Sequence, residues 1–246
     1  MKTYPTRRAA GFTLVELLVV IVIILVLSAL SFVGFNRMRT MADKVAATRN
    51  LSQMQIANAG YAADHNGKYV PLSTADHSGT VTSKWFDNPE YLSQLKGDLP
   101  TLANGNSNTS VPLSMLDPIA VRAKKAQYDS LYASFGYIST GMPGGAYKTP
   151  DSNMGYSTFQ IQSPARKAAF ITATDWIARY ESRFSWQGAA AVEGATTNQK
   201  IAYRHQGKAI VVYYDGHIDE LSIPEIKTID QRGGAKNIFW DALLGK

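Results

Sequence analysis

Glu16 is the only ionisable side chain between Phe12 and Phe35. A carboxylate on so apolar a segment is costly to leave unpaired, though less so near the end of the segment, where this one lies. It either hydrates at headgroup level or pairs with a cation. The other candidate groups are sparse. Four histidines occur, His65, His77, His205 and His217, and none has His-Glu-x-x-His or another close metal spacing. Ser93-Gln94-Leu95-Lys96 has the Ser-x-x-Lys spacing of an acylated serine, but no Lys-Thr-Gly follows, so the spacing is coincidental on a short amphipathic helix. The chain has no cysteine, which excludes disulfides, thiolate metal sites and a thiol nucleophile. Near the C-terminus, His205 and Asp215-Gly216 allow two readings. They form a shared polar site or subunit contact at a sheet edge, or they are turn chemistry, with Asp215-Gly216 supplying a positive-φ turn and His205 capping the one before. For calcium, Asp215, Asp219 and Glu220 are the nearest oxygens, but a turn and a strand are a poor substitute for an oxygen-rich loop, and Asn104, Asn106 and Asn108 carry no charge. Trp85, Trp176, Trp186 and Trp240 read as core anchors rather than a sugar-binding face. These residues call for no catalytic group, no metal and no cofactor.

The elements that must position these groups begin with a basic leader. Met1–Gly11 carries Lys2, Arg7 and Arg8 and no acid. The apolar stretch that follows covers 24 residues from Phe12 to Phe35, long enough as a helix to cross the ~30 Å hydrocarbon layer. A secretory signal is cut after its apolar region. Here the small-residue junction Ala9-Ala10-Gly11 precedes it. The leader supplies three of the six excess positive charges, leaving +3 for the chain from Phe12, too mild a balance to expect nucleic acid. Arg37, Arg39, Lys44 and Arg49 flank the far side of the span, so charge bias alone does not orient it.

The order basic leader, Gly11, Phe12-Thr13-Leu14-Val15-Glu16 resembles the type IV prepilin signature. The resemblance implies cleavage between Gly11 and Phe12 by a prepilin peptidase and N-methylation of Phe12. It also implies pairing of Glu16 with the Phe12 amine of a neighbouring subunit in a filament. A cytoplasmic N-terminus, an exported C-terminal domain and an inner-membrane assembly platform follow from the same resemblance. Relatives often carry a proline about twenty residues into the helix; here the region reads Phe32-Val33-Gly34, so local helix melting would depend on Gly34. Asn50-Leu51, Tyr61, Asp64, Gly67 and Pro71, with His205 and Asp215-Gly216, are similar to pseudopilin-like proteins bearing a C-terminal His-x9-Asp-Gly motif.

Between Arg37 and Asp64 no proline occurs and the only glycine is Gly60. Met38, Met41, Val45, Thr48, Leu51, Met54, Asn58 and Tyr61 recur in steps of three and four, a helical face. One helix of roughly fifty residues, about 75 Å, is therefore expected from Phe12 to near Asp64, closed by the turn Asp64-His65-Asn66-Gly67. Asn88-Pro89 and Asp117-Pro118 read as cap-and-proline starts of short helices. Phe135–Ile138, Phe159–Gln162 and Lys167–Thr172 read as strands. Lys200–Arg204, Ala209–Tyr214 and His217–Ser222 are expected to form a three-stranded meander, with a type I′ turn at Asp215-Gly216. The expected fold class is α+β: a long N-terminal helix, membrane-spanning in its first half, packed on a C-terminal antiparallel sheet. The expected divisions are a leader over 1–11, a transmembrane half over 12–35 and an exported domain over 36–246. The function expected is a structural, non-enzymatic subunit of a type II secretion pseudopilus or type IV pilus-like filament, held in the bacterial inner membrane until assembly. Its partners are prepilin peptidase, other pilin or pseudopilin subunits and the lipid bilayer. The alternative is a membrane-anchored surface binding module, for polysaccharide or another ligand, that does not polymerise.

Overall fold

The computed structural model describes residues 13–75, 81–96, 110–124, 131, 134–140, 142, 155–186, 188 and 200–241. Gly11, Phe12, His77 and the Asn104, Asn106, Asn108 run lie outside them. The chain divides into two compact units, 1–42 and 43–246. Helix α1 spans Leu14–Asp64, 51 residues, because neither proline nor a glycine pair interrupts it; it passes Gly34 unbroken. In the first unit the apolar side chains from Leu14 to Leu27, with Phe32 and Phe35, are exposed, and the helix is long and apolar enough, by length and composition, to cross a membrane. It ends as the sequence suggests. Asn66 and Gly67 take positive φ of 53° and 76°, and the Gly67 N–H donates to the Ala62 carbonyl at 2.8 Å, the closing bond of a Schellman cap.

In the second unit a five-stranded sheet carries the fold. Its strands are β3 (Phe135–Ile138), β4 (Ala168–Thr172), β5 (Ile177–Ala178), β6 (Lys208–Tyr213) and β7 (Ile218–Ser222), after a separate ribbon of β1 (Ser73–Ala75) and β2 (Val81–Lys84). The order across the large sheet is β5-β3-β4-β6-β7, antiparallel throughout except for the parallel β3–β5 pair. Alternation along β6 sends Ile210 and Val212 to one face and Ala209, Val211 and Tyr213 to the other. The first face meets Ala47, Leu51, Met54, Ala57 and Tyr61 of α1 and the buried rings of Trp85, Tyr91, Tyr137 and Phe170. The second meets Ile226 of α4 (Ile223–Asp230) with Phe239 and Trp240. Polar groups on α1 set the seating: Gln55 donates to the Tyr214 carbonyl at 2.8 Å, and Asn50 to the Ser114 and Leu116 carbonyls at 2.9 and 3.1 Å. The arrangement is α+β, a long helix followed by a mainly antiparallel sheet.

Both cap-and-proline starts form helices. The Asn88 carboxamide accepts the N–H groups of Glu90 and Tyr91 at the head of α2 (Pro89–Lys96), and Asp117 accepts that of Ile119 at the head of α3 (Pro118–Lys124). Four expectations need correction. Met38, Met41 and Val45 share the periodicity of the α1 face but are exposed; burial begins at Asp43, paired with Arg122, and Ala47. Phe159–Gln162 is no strand: Gln160 folds back to accept the Ser157 N–H at 2.7 Å, and Phe159 stands 85% exposed. Lys200–Arg204 joins the sheet by a single bridge, Ile201 to Ala173. Finally, the type I′ turn expected at Asp215-Gly216 forms instead at the turn before β6. His205 and Lys208 trade both backbone bonds around Gln206 and Gly207, which have φ of 56° and 79°, a type I′ turn. Between β6 and β7 only Gly216 is left-handed, at φ 93°, and its N–H donates to the Tyr213 carbonyl, giving a three-residue loop with a glycine bulge.

A lysine is buried beside this core. Lys167 is fully buried and donates from Nζ to the Trp240 carbonyl at 2.7 Å, tying the C-terminal segment to the start of β4. Burial pulls its amine down to about 7, against a smaller upward pull from Asp241. An unfolded lysine keeps its proton to ~10.4, so above about 7 the unfolded chain binds more protons than the folded one. Stability is therefore expected to rise between about pH 7 and pH 9, by up to ~1.4 kcal/mol per unit from this group. Urea unfolding of the wild type and Lys167→Met at the two pH values measures it. The rise should shrink in the variant, and an equal rise in both contradicts the assignment.

Candidate functional site

At the head of α1, the Thr13 N–H and hydroxyl both donate to Glu16 Oε2, at 2.8 and 2.7 Å, and the Glu16 N–H donates to Thr13 Oγ1 at 3.2 Å. This is a reciprocal capping box, in which a threonine cap and a glutamate three residues on satisfy helix-start donors that have no partner within the helix. The Thr-x-x-Glu spacing was open to reading in the sequence; the membrane reading of Glu16 masked it. Both Thr13 bonds fall on Oε2, and Oε1 makes no hydrogen bond among the described residues. One oxygen thus caps the helix while the other stays available to a donor from elsewhere.

The C-terminal motif is split between two places. His205, 2% exposed, does not meet Asp215. Its Nε2 donates to Asp117 Oδ2 at 3.1 Å, across 88 residues of sequence. Asp117 is wholly buried, and the Arg204 guanidinium lies 3.8 Å from the same oxygen while donating to the Ala173 carbonyl at 2.9 Å. Burial pushes the Asp117 carboxyl up, but the His205 hydrogen bond and the Arg204 charge outweigh it and hold the group below the usual carboxylate range. Asp117 therefore caps α3 with one oxygen and anchors the turn before β6 with the other. The Asp-Pro signal marked the cap; nothing local marks its partner. His205 Nδ1 is buried without a hydrogen bond among the described residues.

Asp215 pairs instead with its own hairpin. It accepts from His217 Nδ1 at 2.6 Å and from the His217 N–H at 3.1 Å. Slight burial raises its carboxyl and these bonds lower it further, for a net lowering. Asp219 lies 3.7 Å from the same ring, and Glu220 turns to Lys44 on α1 at 2.8 Å. Among the described residues no group of three or more histidines and acids is arranged to hold a metal ion. Trp85 and Trp240 are fully buried in separate clusters, and no tryptophan face forms between them.

No curated protein and no solved structure gives a match to the chain. Residues 6–32 match the family described as the prokaryotic N-terminal methylation motif. That motif implies processing by prepilin peptidase and assembly with other pilin subunits, and it fits membrane anchoring. Running as it does into the long apolar α1, it fits a type IV pilin-like protein.

Proposed function

We propose that the chain is a structural subunit of a pseudopilus or type IV pilus-like filament, working by assembly rather than by catalysis. The methylation motif at 6–32, continued by the 51-residue α1, carries this reading. In it, peptidase cuts between Gly11 and Phe12 and the new Phe12 amine is methylated. Residues 12–35 hold the subunit in the inner membrane, with the N-terminus cytoplasmic and residues 36–246 exported. On assembly through the inner-membrane platform, apolar helices stack and bury the side chains that α1 leaves exposed. The Phe12 ammonium of one subunit meets the carboxylate of Glu16 on another, where low dielectric strengthens the attraction. Oε1 of Glu16, which makes no hydrogen bond among the described residues, supports this role, since the cap does not have to open. His205, Asp215 and Gly216 shape the exported domain: His205 through Asp117, the other two through the hairpin.

The test is incorporation. In the native host, a tagged chain is expected in filaments sheared from the surface when overproduced, and only in membranes when the prepilin peptidase gene is disrupted. A chain that stays in the membrane with the peptidase active and other subunits assembling contradicts the filament reading and favours a monomeric anchored module.

A further inference from the structure

Beside the end of α1 lies a cavity of about 570 Å³, within the roughly 300–1,000 Å³ of small-molecule sites. Its two walls are the segment after α1, through Pro71, and residues 155–160. They are strapped together by backbone bonds, Tyr69 N–H to the Tyr156 carbonyl at 3.1 Å and Thr158 N–H to the Gly67 carbonyl at 2.8 Å. Gly155 lets the walls approach, because a side chain there would come within 3.2 Å of the Pro71 backbone. The cavity is therefore formed before any ligand arrives.

Its lining has a definite chemistry. Tyr69 and Tyr156 stand edge-on to the buried Tyr214, with ring centres 4.7 and 6.1 Å away. Across the cavity, Tyr61 stacks on His65 at 3.7 Å, and His65 is clamped at both ring nitrogens by the Tyr61 carbonyl and Glu90. These rings are fixed in place and spend no rotamer entropy on binding. The polar groups at the cavity are differently placed. The side chains of Asn66 and Lys68 and the Gln160 amide nitrogen make no hydrogen bond among the described residues. Asp64, whose Oδ2 already accepts from Gln94 at 2.7 Å, balances the charge of Lys68.

We propose that this cavity binds a neutral sugar ring of an oligosaccharide. A pyranose presents C–H groups to the negative face of a tyrosine ring and hydroxyls to amides, a carboxylate and an ammonium around it. One acid against one base gives no net charge with which to hold an anion or a cation, and a purely apolar guest would strip water from the donors without replacing its hydrogen bonds. The proposal goes beyond the filament reading and stands apart from it, since an unassembled subunit would bind equally.

The test is calorimetric titration of the full chain, in a detergent without a sugar headgroup, with chitotetraose, cellotetraose, maltotetraose and the anionic trigalacturonate. At least one neutral tetramer is expected to bind with a Kd of about 1 mM or tighter, better than the anion. Tyr69→Leu is expected to weaken that binding about tenfold or more, and Lys68→Met several-fold, with the thermal midpoint of each checked against wild type. Lys68 is exposed, so its variant decides the matter if Tyr69→Leu fails to fold. No binding by any neutral tetramer, preference for the anion, or binding that Lys68→Met leaves unchanged overturns the proposal.

Discussion

Replacing Glu16 with leucine is expected to cut the ratio of filament-incorporated to membrane-retained chain by on the order of 100-fold, while insertion and cleavage after Gly11 persist. Insertion persists because a charge is removed from an apolar segment, and cleavage because the junction is untouched. Assembly fails because an incoming Phe12 ammonium would be left unpaired among stacked apolar helices. The capping box adds a second route by which leucine could act, since it also removes the acceptor for the Thr13 N–H and hydroxyl. Glu16→Gln separates the two. Glutamine at the same helical position keeps a capping box but offers a neutral amide to the ammonium. Pairing between subunits predicts that Glu16→Gln assembles nearly as poorly as Glu16→Leu. If glutamine assembles like wild type and leucine does not, Glu16 is a helix cap; if both assemble like wild type, it is a hydrated headgroup residue. The readout is the ratio of sheared to membrane-retained protein in the three strains.

The second large effect is expected in the unit of residues 43–246. Asp117→Ala should destabilise that unit by about 3–5 kcal/mol, since it leaves His205 and Arg204 buried without their carboxylate and strips the cap from α3. In a chain of this size that is roughly a 10 °C fall in melting temperature. Asp215→Ala, which removes a partly exposed partner of His217, should cost about 1 kcal/mol or less. Equal losses in the two variants would mean that the Asp117 pair adds nothing beyond a surface contact. The pH dependence follows from the lowered Asp117 carboxyl. Its contribution is complete above the unfolded value near 3.9 and is lost as pH falls through the folded value below it. Asp117→Asn should therefore lose less stability than wild type on acidification through that window.

What the sequence discloses depends on whether the signal is local. Helix α1 was legible because an unbroken apolar run passes into a stretch free of proline, and the short helices because Asn88-Pro89 and Asp117-Pro118 are complete start signals within two residues each. Periodicity showed that Met38, Met41 and Val45 share a face with Leu51 and Met54, but it carries no record of which neighbour covers that face. Only the lower part, from Asp43, lies in the unit that contains the sheet. The misplaced type I′ turn has a similar cause. Asp-Gly serves a two-residue and a three-residue hairpin loop alike, and the backbone bonds flanking each turn decide between them. Strands as short as β5, with two residues, leave no alternation to detect. At the candidate site, Glu16 stood out by hydropathy alone, and that reading hid the capping spacing it shares with Thr13. The Asp117–His205 pair joins a loop to a turn through tertiary packing, and no one-dimensional pattern encodes it.

The filament account rests first on where the mature chain begins, and intact-protein and N-terminal peptide mass spectrometry of membrane-extracted chain measures this directly. The account predicts a mature N-terminus at Phe12 carrying one added methyl group, with Met1–Gly11 gone. A chain that retains Met1, or one cut after the apolar segment beyond Leu27, would contradict it.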